Sequence, residues 1–371
     1  MNLSLLPDLA CPSSATGTRC LGALKLANDP PARLSPENDQ ELSEGRLECQ
    51  DCGASYPVLC GIAILMPDAV PYLQRNYKTI LSVSVENNLA PSSAMLAYLH
   101  SIGAHIESAP RNQAGEDNLR ALGSYLRAHY DQDSPILTNL PPEHPLAGFL
   151  QDYRKHDLYH TLLAMFEPYL SAGSKIVDLG CHVGRLTRDL AWRGHSVIGV
   201  DTSFAAAFVA RRAVRGWPST LNEYEYFSDS VRREKRKLNL PALTNGEIIV
   251  ASATQLPFKP TTFQAAICAN LIDVIPEPIA LLREIQTLLS ANGIVGLSTP
   301  YHHGAGQAAQ RWQGGRSMMS ASQALRWRIG HHFEILNEQD LIPWVLGDHE
   351  RRLQVYLNHC IIGRKSRKEE K

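Results

Sequence analysis

Residues 175–201, KIVDLGCHVGRLTRDLAWRGHSVIGVD, constrain the fold more than any other stretch of the chain. A short apolar run ends in Asp178-Leu179-Gly180, a turn follows through Gly184, a helix opens at Arg185, and a second apolar run ends in Asp201. Glycines at such a turn let the backbone adopt left-handed conformations and approach a ligand closely. Ligands of open α/β sheets sit beyond the carboxyl ends of the strands, where a carboxylate such as Asp201 suits the two hydroxyls of a ribose. A dinucleotide-binding dehydrogenase is the alternative for this loop alone, but Asp-x-Gly-x-x-x-Gly departs from the G-x-G-x-x-G spacing of that motif.

Downstream, GEIIVASA, QAAICAN and GIVGLST continue an alternation of apolar runs and helical stretches. That alternation predicts a mostly parallel sheet with helices on both faces. The segment FEILNEQDLIPWVLGDHERRLQVYLNHCIIGRK should add a helix and closing antiparallel strands, and KSRKEEK a solvated end. A chain of 371 residues exceeds one average domain. We divide it into a turn-rich unit at 1–70, a helical connector or cap at 71–150, and a catalytic unit at 151–371. The connector rests on i, i+3/i+4 apolar spacing in SAMLAYLHSIGAHI and DNLRALGSYLRAHYD.

Apolar residues make up 44%, charged residues 20%, and the formal net charge is −1, so no whole-chain field draws nucleic acid or an anionic membrane. No run approaches the ~20 apolar residues of a bilayer span, and MNLSLLPDLACP lacks a basic n-region. A cytoplasmic location is the expectation. Five of the eight cysteines (Cys11, Cys20, Cys49, Cys52 and Cys60) fall in the first 60 residues, a clustering that points to metal rather than disulfides.

Residues 151–371 resemble the class I S-adenosylmethionine-dependent methyltransferases, on the strength of the 175–201 motif and its following acidic position. The resemblance implies a Rossmann-like fold with a seven-stranded, mostly parallel sheet and S-adenosyl-L-methionine as cofactor. It places Asp178, Gly180 and Gly184 along the methionine and ribose portion and Asp201 on the ribose hydroxyls. Cys181, Arg185, Thr202, Ser252, Ala253 and Asn270 complete the implied cofactor site. Three positions depart from the family pattern: His182 replaces a frequent glycine, Ser252 stands where an aspartate often meets the adenine amino group, and Gln264 replaces a usual aspartate. These departures leave a non-catalytic, scaffold reading open.

In AAICANLIDVIPEP, Asn270 and Asp273 stand where the fourth strand should leave the sheet. Helix N-capping is the plain explanation for either residue. The series ANLIDVIPEP, LSTPYHHGAG, RWQGG and IPWVLGDHERRLQVY resembles the mercaptohistidine (ovothiol) N-methyltransferase domain and, more loosely, carnosine N-methyltransferase. This resemblance implies an imidazole acceptor bound by Asp273 and Tyr301, with Asn270 near both cofactor and acceptor. His302 and His303 could line the pocket, and Arg352 or Arg351 could meet a substrate carboxylate. A neutral imidazole has one N–H and one lone pair. A carboxylate accepting the N–H fixes the tautomer, frees the other nitrogen for attack and stabilises developing positive charge.

At the N-terminal end, Cys49 to Met66 carries Cys-x2-Cys-Gly-x2-Tyr-Pro followed by a Gly-Ile and an apolar run. The segment resembles the zinc-ribbon domain of activators of tRNA methyltransferases, implying structural zinc on Cys11, Cys20, Cys49 and Cys52. Ser14 stands where the partner of Cys11 would be; with a loop insertion the resemblance lets Cys20, in Cys-x-Gly-x-Leu, supply that thiolate, and a ribbon without zinc, held by its small core, is the alternative. An RNA methyltransferase is therefore the alternative enzyme, with VRREKRKL (231–238) as a local basic run that a solvated face also explains. Against it, NLID stands where base-amine methylation would call for Asn-Pro-Pro-aromatic.

Overall fold

A computed structural model describes residues 1–14, 17–36, 38–104, 114–131, 141–148, 157–229, 231–302, 319–349 and 352–366. His303, Arg351 and the last residues of the charged tail lie outside the described residues. The chain begins with strands β1 (Leu24–Leu26), β2 (Arg33–Ser35), β3 (Asn38–Cys49), β4 (Ser55–Leu59) and β5 (Ile62–Leu65). Helices α1 (Ala69–Glu86), α2 (Ser93–Ser101), α3 (Ala114–Tyr130) and α4 (Leu158–Phe166) follow. The α/β part then runs β6 (Lys175–Leu179), α5 (Arg185–Trp192), β7 (Ser196–Asp201) and α6 (Phe204–Arg215). A hairpin of β8 (Glu223–Phe227) and β9 (Arg233–Lys237) leads to β10 (Gly246–Ala251), β11 (Phe263–Ala269), α7 (Pro278–Leu288) and β12 (Leu289–Thr299). The chain closes with α8 (Ala321–Gly330), β13 (Phe333–His349) and β14 (Arg352–Lys365).

The seven strands expected of the α/β part lie in the order β10-β7-β6-β11-β12-β14-β13. The first five are parallel, and β14 runs antiparallel to both its neighbours. Strands such as GEIIVA in β10 are buried along their whole length, as parallel strands covered on both faces must be. One face carries α4, α5 and α6 with α1 and α2, while the other carries α7, α8 and the N-terminal segment. The chain moves from β6 through β7 to β10, then returns to β11 on the other side of β6. That reversal creates a crevice beyond the carboxyl ends of β6 and β11, where such sheets bind ligands.

The N-terminal strands extend this same sheet. Strand β5 pairs in parallel with β10, Ile64 opposite Val250 and Leu65 opposite Ala251, and β4, β3 and β1 continue outward. At the seam, fully buried Arg211 of α6 is ion-paired with Glu41 of β3 and Glu247 of β10, and Arg215 reaches Glu41 at 3.1 Å. Within the basic run at 231–238, Arg233–Lys237 form β9 and pair with β8 through registers such as Glu225 opposite Lys235. Helix α7 has Glu277 at its N-cap, so neither Asn270 nor Asp273 caps it.

Candidate functional site

The loop after β6 is built for close approach. Gly180, His182 and Gly184 all have positive φ (74°, 46° and 82°). The amides of Gly180 and Cys181 both donate to the Val200 carbonyl, at 2.8 and 3.0 Å, clamping the turn onto β7. A side chain at Gly184 would meet the Ala210 Cβ at 3.0 Å, so the helix following the turn can pack only on glycine. Asp201, ending β7, accepts the His182 N–H on Oδ2 (2.9 Å) and the Ser203 N–H on Oδ1 (2.8 Å). These bonds fix the carboxylate and leave each oxygen a further lone pair.

Asp178 is buried within β6, and its Oδ2 accepts the Thr187 hydroxyl at 2.7 Å. Burial pushes its carboxyl up to about 7, against the opposing effect of the Thr187 hydrogen bonds. Asn270 sits at the end of β11 with φ of 54°. Its N–H donates to the Ser298 carbonyl at 2.9 Å and its Oδ1 accepts the Ser298 hydroxyl at 3.1 Å, while the buried Nδ2 has no partner among the described residues.

Asp178, Gly180, Asp201, Asn270 and Leu271 form one side of a cavity of about 230 Å³. Facing them are Tyr125 and His129 from α3, Tyr159 from α4 and Trp344 from β13. His182 lies between the two sides, its ring centroid 4.1 Å from that of Tyr125. His129 is buried, with Nε2 3.4 Å from the Tyr159 hydroxyl and Nδ1 unpartnered. Burial, then the neighbouring Arg185 and His182, hold its pKa well below the ordinary histidine range. His182 is also lowered, by burial against the pull of Asp201. Both rings are therefore neutral near pH 7. Arg185 does not reach out to solvent: it pairs with Asp189 at 2.6 Å and donates to the His129 carbonyl, anchoring α3 to the loop.

Of the residues singled out in the sequence, Asp178, Gly180, Cys181, Arg185, Asp201 and Asn270 line this cavity. Gly184 lies behind it at the start of α5. The carbonyl of Thr202 accepts the Tyr72 hydroxyl from α1 at 2.7 Å, and Ser252 pairs its hydroxyl with Thr254 at 3.0 Å, with Ala253 between them. Asp273 is buried but stands off the cavity wall, where its Oδ2 accepts the His302 N–H at 2.8 Å. Tyr301, with φ of 56°, places its hydroxyl 2.5 Å from His359 Nδ1. Exposed Arg352 begins β14 beside the hairpin tip, apart from the cavity walls. The aromatic wall escaped the sequence reading. Tyr125 and His129 are one helical turn apart, a spacing that ordinary packing also produces.

At the other end of the chain, the sulfurs of Cys11, Cys20, Cys49 and Cys52 all lie within 4.8 Å of one another. Cys11 and Cys52 are 3.6 Å apart, as are Cys20 and Cys49. Four sulfurs at ~2.3 Å from a tetrahedral ion would be roughly 3.8 Å apart, close to the spacing of these two pairs, so the cluster suits a tetrahedral ion such as zinc. The loop bearing Cys11 and Cys20 is tied to the segment after β10, where the Gln255 amide donates to Ser14 Oγ at 2.6 Å and Ala10 N–H to the Pro257 carbonyl at 2.9 Å, and to α7, where Arg19 pairs with Glu284 at 2.7 Å.

A family model described as a methyltransferase domain matches residues 150–340. The ubiquinone biosynthesis O-methyltransferase of Stutzerimonas stutzeri (strain A1501) is 27% identical over 128 residues, 34% of this chain and 45% of that protein. Its counterpart from Pseudomonas aeruginosa (strain LESB58) is 28% identical with the same coverage. The chain thus spans less than half the length of these curated relatives. Among solved structures, a SAM-dependent methyltransferase from Methanosarcina mazei is 20% identical with a TM-score of 0.38, covering 56% of this chain and 98% of that one. A complex of the Haloferax volcanii Trm112 methyltransferase activator with a methyltransferase gives 13% identity and a TM-score of 0.40, covering 60% and 94%.

Proposed function

The chain belongs to the methyltransferase domain family and is an S-adenosylmethionine-dependent methyltransferase, and from that premise we propose that it methylates a ring nitrogen of a small imidazole compound. The carboxylates of Asp178 and Asp201, the left-handed glycine loop and the unpartnered Asn270 amide suit a ligand with a ribose diol and cationic groups. When bound, the cofactor supplies a methyl group activated by a sulfonium. Asp201 would hold the ribose hydroxyls on its remaining lone pairs, Asp178 would face the cationic portion, and Ser252, Ala253 and Thr202 would border the adenosine.

The observation that carries the choice of acceptor is the wall of Tyr125, His129, Tyr159 and Trp344, whose histidine is held neutral and weakly basic. A planar acceptor stacks on such a wall. An imidazole nitrogen is nucleophilic while neutral and needs no base before attack. A phenol, ordinarily near pKa 10, would have to give its proton to a histidine below 6.5. That transfer runs uphill, and burial of the histidine steepens it. Phenol O-methylation is nevertheless the second reading, favoured by the names of the curated relatives and by the unpartnered His129 Nδ1 on the cavity.

Asp273 and Tyr301 do not line the cavity, so in this reading they bear on the acceptor through the backbone they fix rather than by direct contact. Asp273 secures the His302 backbone beside the end of β12, and Tyr301 presents its hydroxyl at the same strand end. We further assign structural zinc to the four N-terminal thiols, a closed shell without an open coordination position. The test is mass spectrometry of methyl transfer from S-adenosylmethionine to histidine, mercaptohistidine, carnosine and catechol-type phenols, with cofactor affinity measured alongside. A methylated imidazole supports the reading. Methylated phenols alone replace it with the second, and no product from any of them with cofactor bound moves the search to RNA.

A further inference from the structure

His182 stands in the loop after β6 without a part in the chemistry proposed so far. The turn needs a residue that accepts φ of 46°, which glycine does freely and histidine only with strain. Such strain persists where the surroundings over-determine it, and His182 is held from two sides. Its main-chain N–H donates to Asp201 Oδ2 at 2.9 Å. Its ring lies against Tyr125 of α3, the centroids 4.1 Å apart and the planes inclined by 43°. That spacing is tighter than the ~4.5 Å at which aromatic pairs usually begin. Two residues farther along the loop tie down the same helix: the Val183 carbonyl accepts the Tyr130 hydroxyl at 3.0 Å, and Arg185 donates to the His129 carbonyl. Val183 also shares a buried apolar cluster with Leu122 and Leu126. The C-terminal half of α3, which brings Tyr125 and His129 to the cavity, is thus mounted on the loop.

We propose that His182 is a positioning residue that couples the two halves of the site: its amide is bonded to the carboxylate for the ribose and its ring to the wall for the acceptor, so that cofactor occupancy sets the wall. The inference rests on the reading that S-adenosylmethionine takes the Asp201 side of the cavity and the acceptor the aromatic side. Val183 and Arg185 hold the end of the helix, whereas His182 alone of the three is bonded to Asp201. A ribose diol donating to Asp201 fixes the carboxylate whose Oδ2 also holds the His182 N–H. Binding therefore favours the loop geometry that keeps this amide in reach. Through the ring contact the same geometry favours α3 docked with Tyr125 on the cavity.

The two events are linked, and linkage is reciprocal: whatever factor the cofactor adds to the docking of α3, docked α3 adds to cofactor affinity. The coupling gives the bulky residue at this turn a use. Glycine would keep the turn and the amide bond to Asp201, but it would leave Tyr125 without a ring to pack on from the loop side. It also sets an order of assembly, in which the wall that receives the acceptor is completed once the cofactor is in place.

The test is amide hydrogen exchange of the full chain with and without S-adenosylhomocysteine, which lacks the transferable methyl and so fills the site without turnover. Wild type, His182→Gly, Tyr125→Leu and the double variant are compared, with affinity for S-adenosylhomocysteine measured by calorimetry. Saturating ligand should slow exchange over residues 122–128 about fivefold or more in wild type and less than about twofold in each single variant. The double variant should match the single ones, because both substitutions remove the same contact. Glycine accepts φ of 46° without strain, so His182→Gly keeps the turn, and Tyr125→Leu tests the contact with the loop sequence untouched. Equal slowing in wild type and both single variants, or none in wild type, overturns the coupling. A fall in affinity larger than the wild-type slowing factor marks His182 as a direct ligand contact and overturns the positioning role. Failure of every imidazole to accept a methyl retires the acceptor reading alone, and failure of S-adenosylhomocysteine to bind wild type overturns both.

Discussion

Replacing Asp178 with asparagine should stabilise the cofactor-free protein while abolishing tight cofactor binding, and the effect should depend on pH in one direction only. The carboxyl is buried inside β6 and its pKa rises from an ordinary 3.8 to about 7. Between about pH 4 and 7 the folded chain therefore holds a proton at Asp178 that the unfolded chain has released. Stability from this group is fully present below about pH 4 and is lost as pH rises through 7. A displacement of roughly 3 units at about 1.36 kcal/mol each amounts to about 4 kcal/mol. Asparagine is neutral throughout and can still accept the Thr187 hydroxyl, so the variant escapes the loss. Urea unfolding of both proteins at pH 4, 6 and 8 should show the variant's relative stability growing by about 4 kcal/mol over that range and levelling above pH 7. Wild-type affinity for S-adenosylmethionine should rise about tenfold per pH unit below 7, because binding requires the carboxylate. A stability difference that is flat with pH would refute the reasoning.

Gly184→Ala forces a side chain into a φ of 82° and within 3.0 Å of the Ala210 Cβ. It should cost about 1–3 kcal/mol in melting experiments and raise the cofactor Kd. Metal analysis should find about one zinc per chain for four thiolates, and Cys49→Ser or chelation should lower the melting temperature. Since the Cys11–Cys20 loop holds residues 255–257 beyond β10, calorimetry should also show weaker cofactor binding in the metal-free protein. Deleting residues 1–66 should yield insoluble protein, because it uncovers the edge of a strand that is buried along its whole length; a soluble, cofactor-binding product would disprove this.

What the sequence disclosed was local. The β6–loop–α5–β7 unit follows from one unbroken stretch, in which apolar runs of strand length bracket glycines at fixed spacing. A parallel sheet with helices on both faces follows from repetition of that pattern, while the count of seven strands comes from the family resemblance. The Cys49–Cys52 pair can be read as a metal knuckle from its spacing, whereas its grouping with Cys11 and Cys20 comes from the zinc-ribbon resemblance. Long-range pairing left no such trace: GIAILMP reads as a strand, but nothing in it names β10, almost two hundred residues later, as its neighbour. The aromatic wall was equally silent, since Tyr125 and His129 lie on an amphipathic helix whose apolar face would look the same against any core. Asp273 shows a third limit. Its position at a strand end was legible, but the partner of its Oδ2 is a backbone amide on a different strand end, set by tertiary approach.

That long-range pairing decides how the N-terminal unit bears on the chemistry. Within β10, Val250 is paired on one side with Ile64 of β5 and on the other with Asp201 of β7. Strand β10 therefore lies between the N-terminal sheet and β7, whose last residue Asp201 we propose to hold the ribose, so β5 runs two strand spacings or roughly 10 Å from that carboxylate's strand. The loop leaving β10 then carries Ser252 and Ala253 before it is gripped by Ala10, Pro12 and Ser14. Both flanks of β10, its edge and its exit, are thus fixed by residues that precede position 66, and the buried Arg211–Glu41–Glu247 cluster closes the same seam from α6. Removing one partner of such a buried cluster costs about 3–5 kcal/mol, far more than an exposed pair, so the seam resists opening. In the proposed reading the cysteine-bearing unit braces the adenosine side of the site, while α3, α4 and β13 supply the wall on which the acceptor stacks.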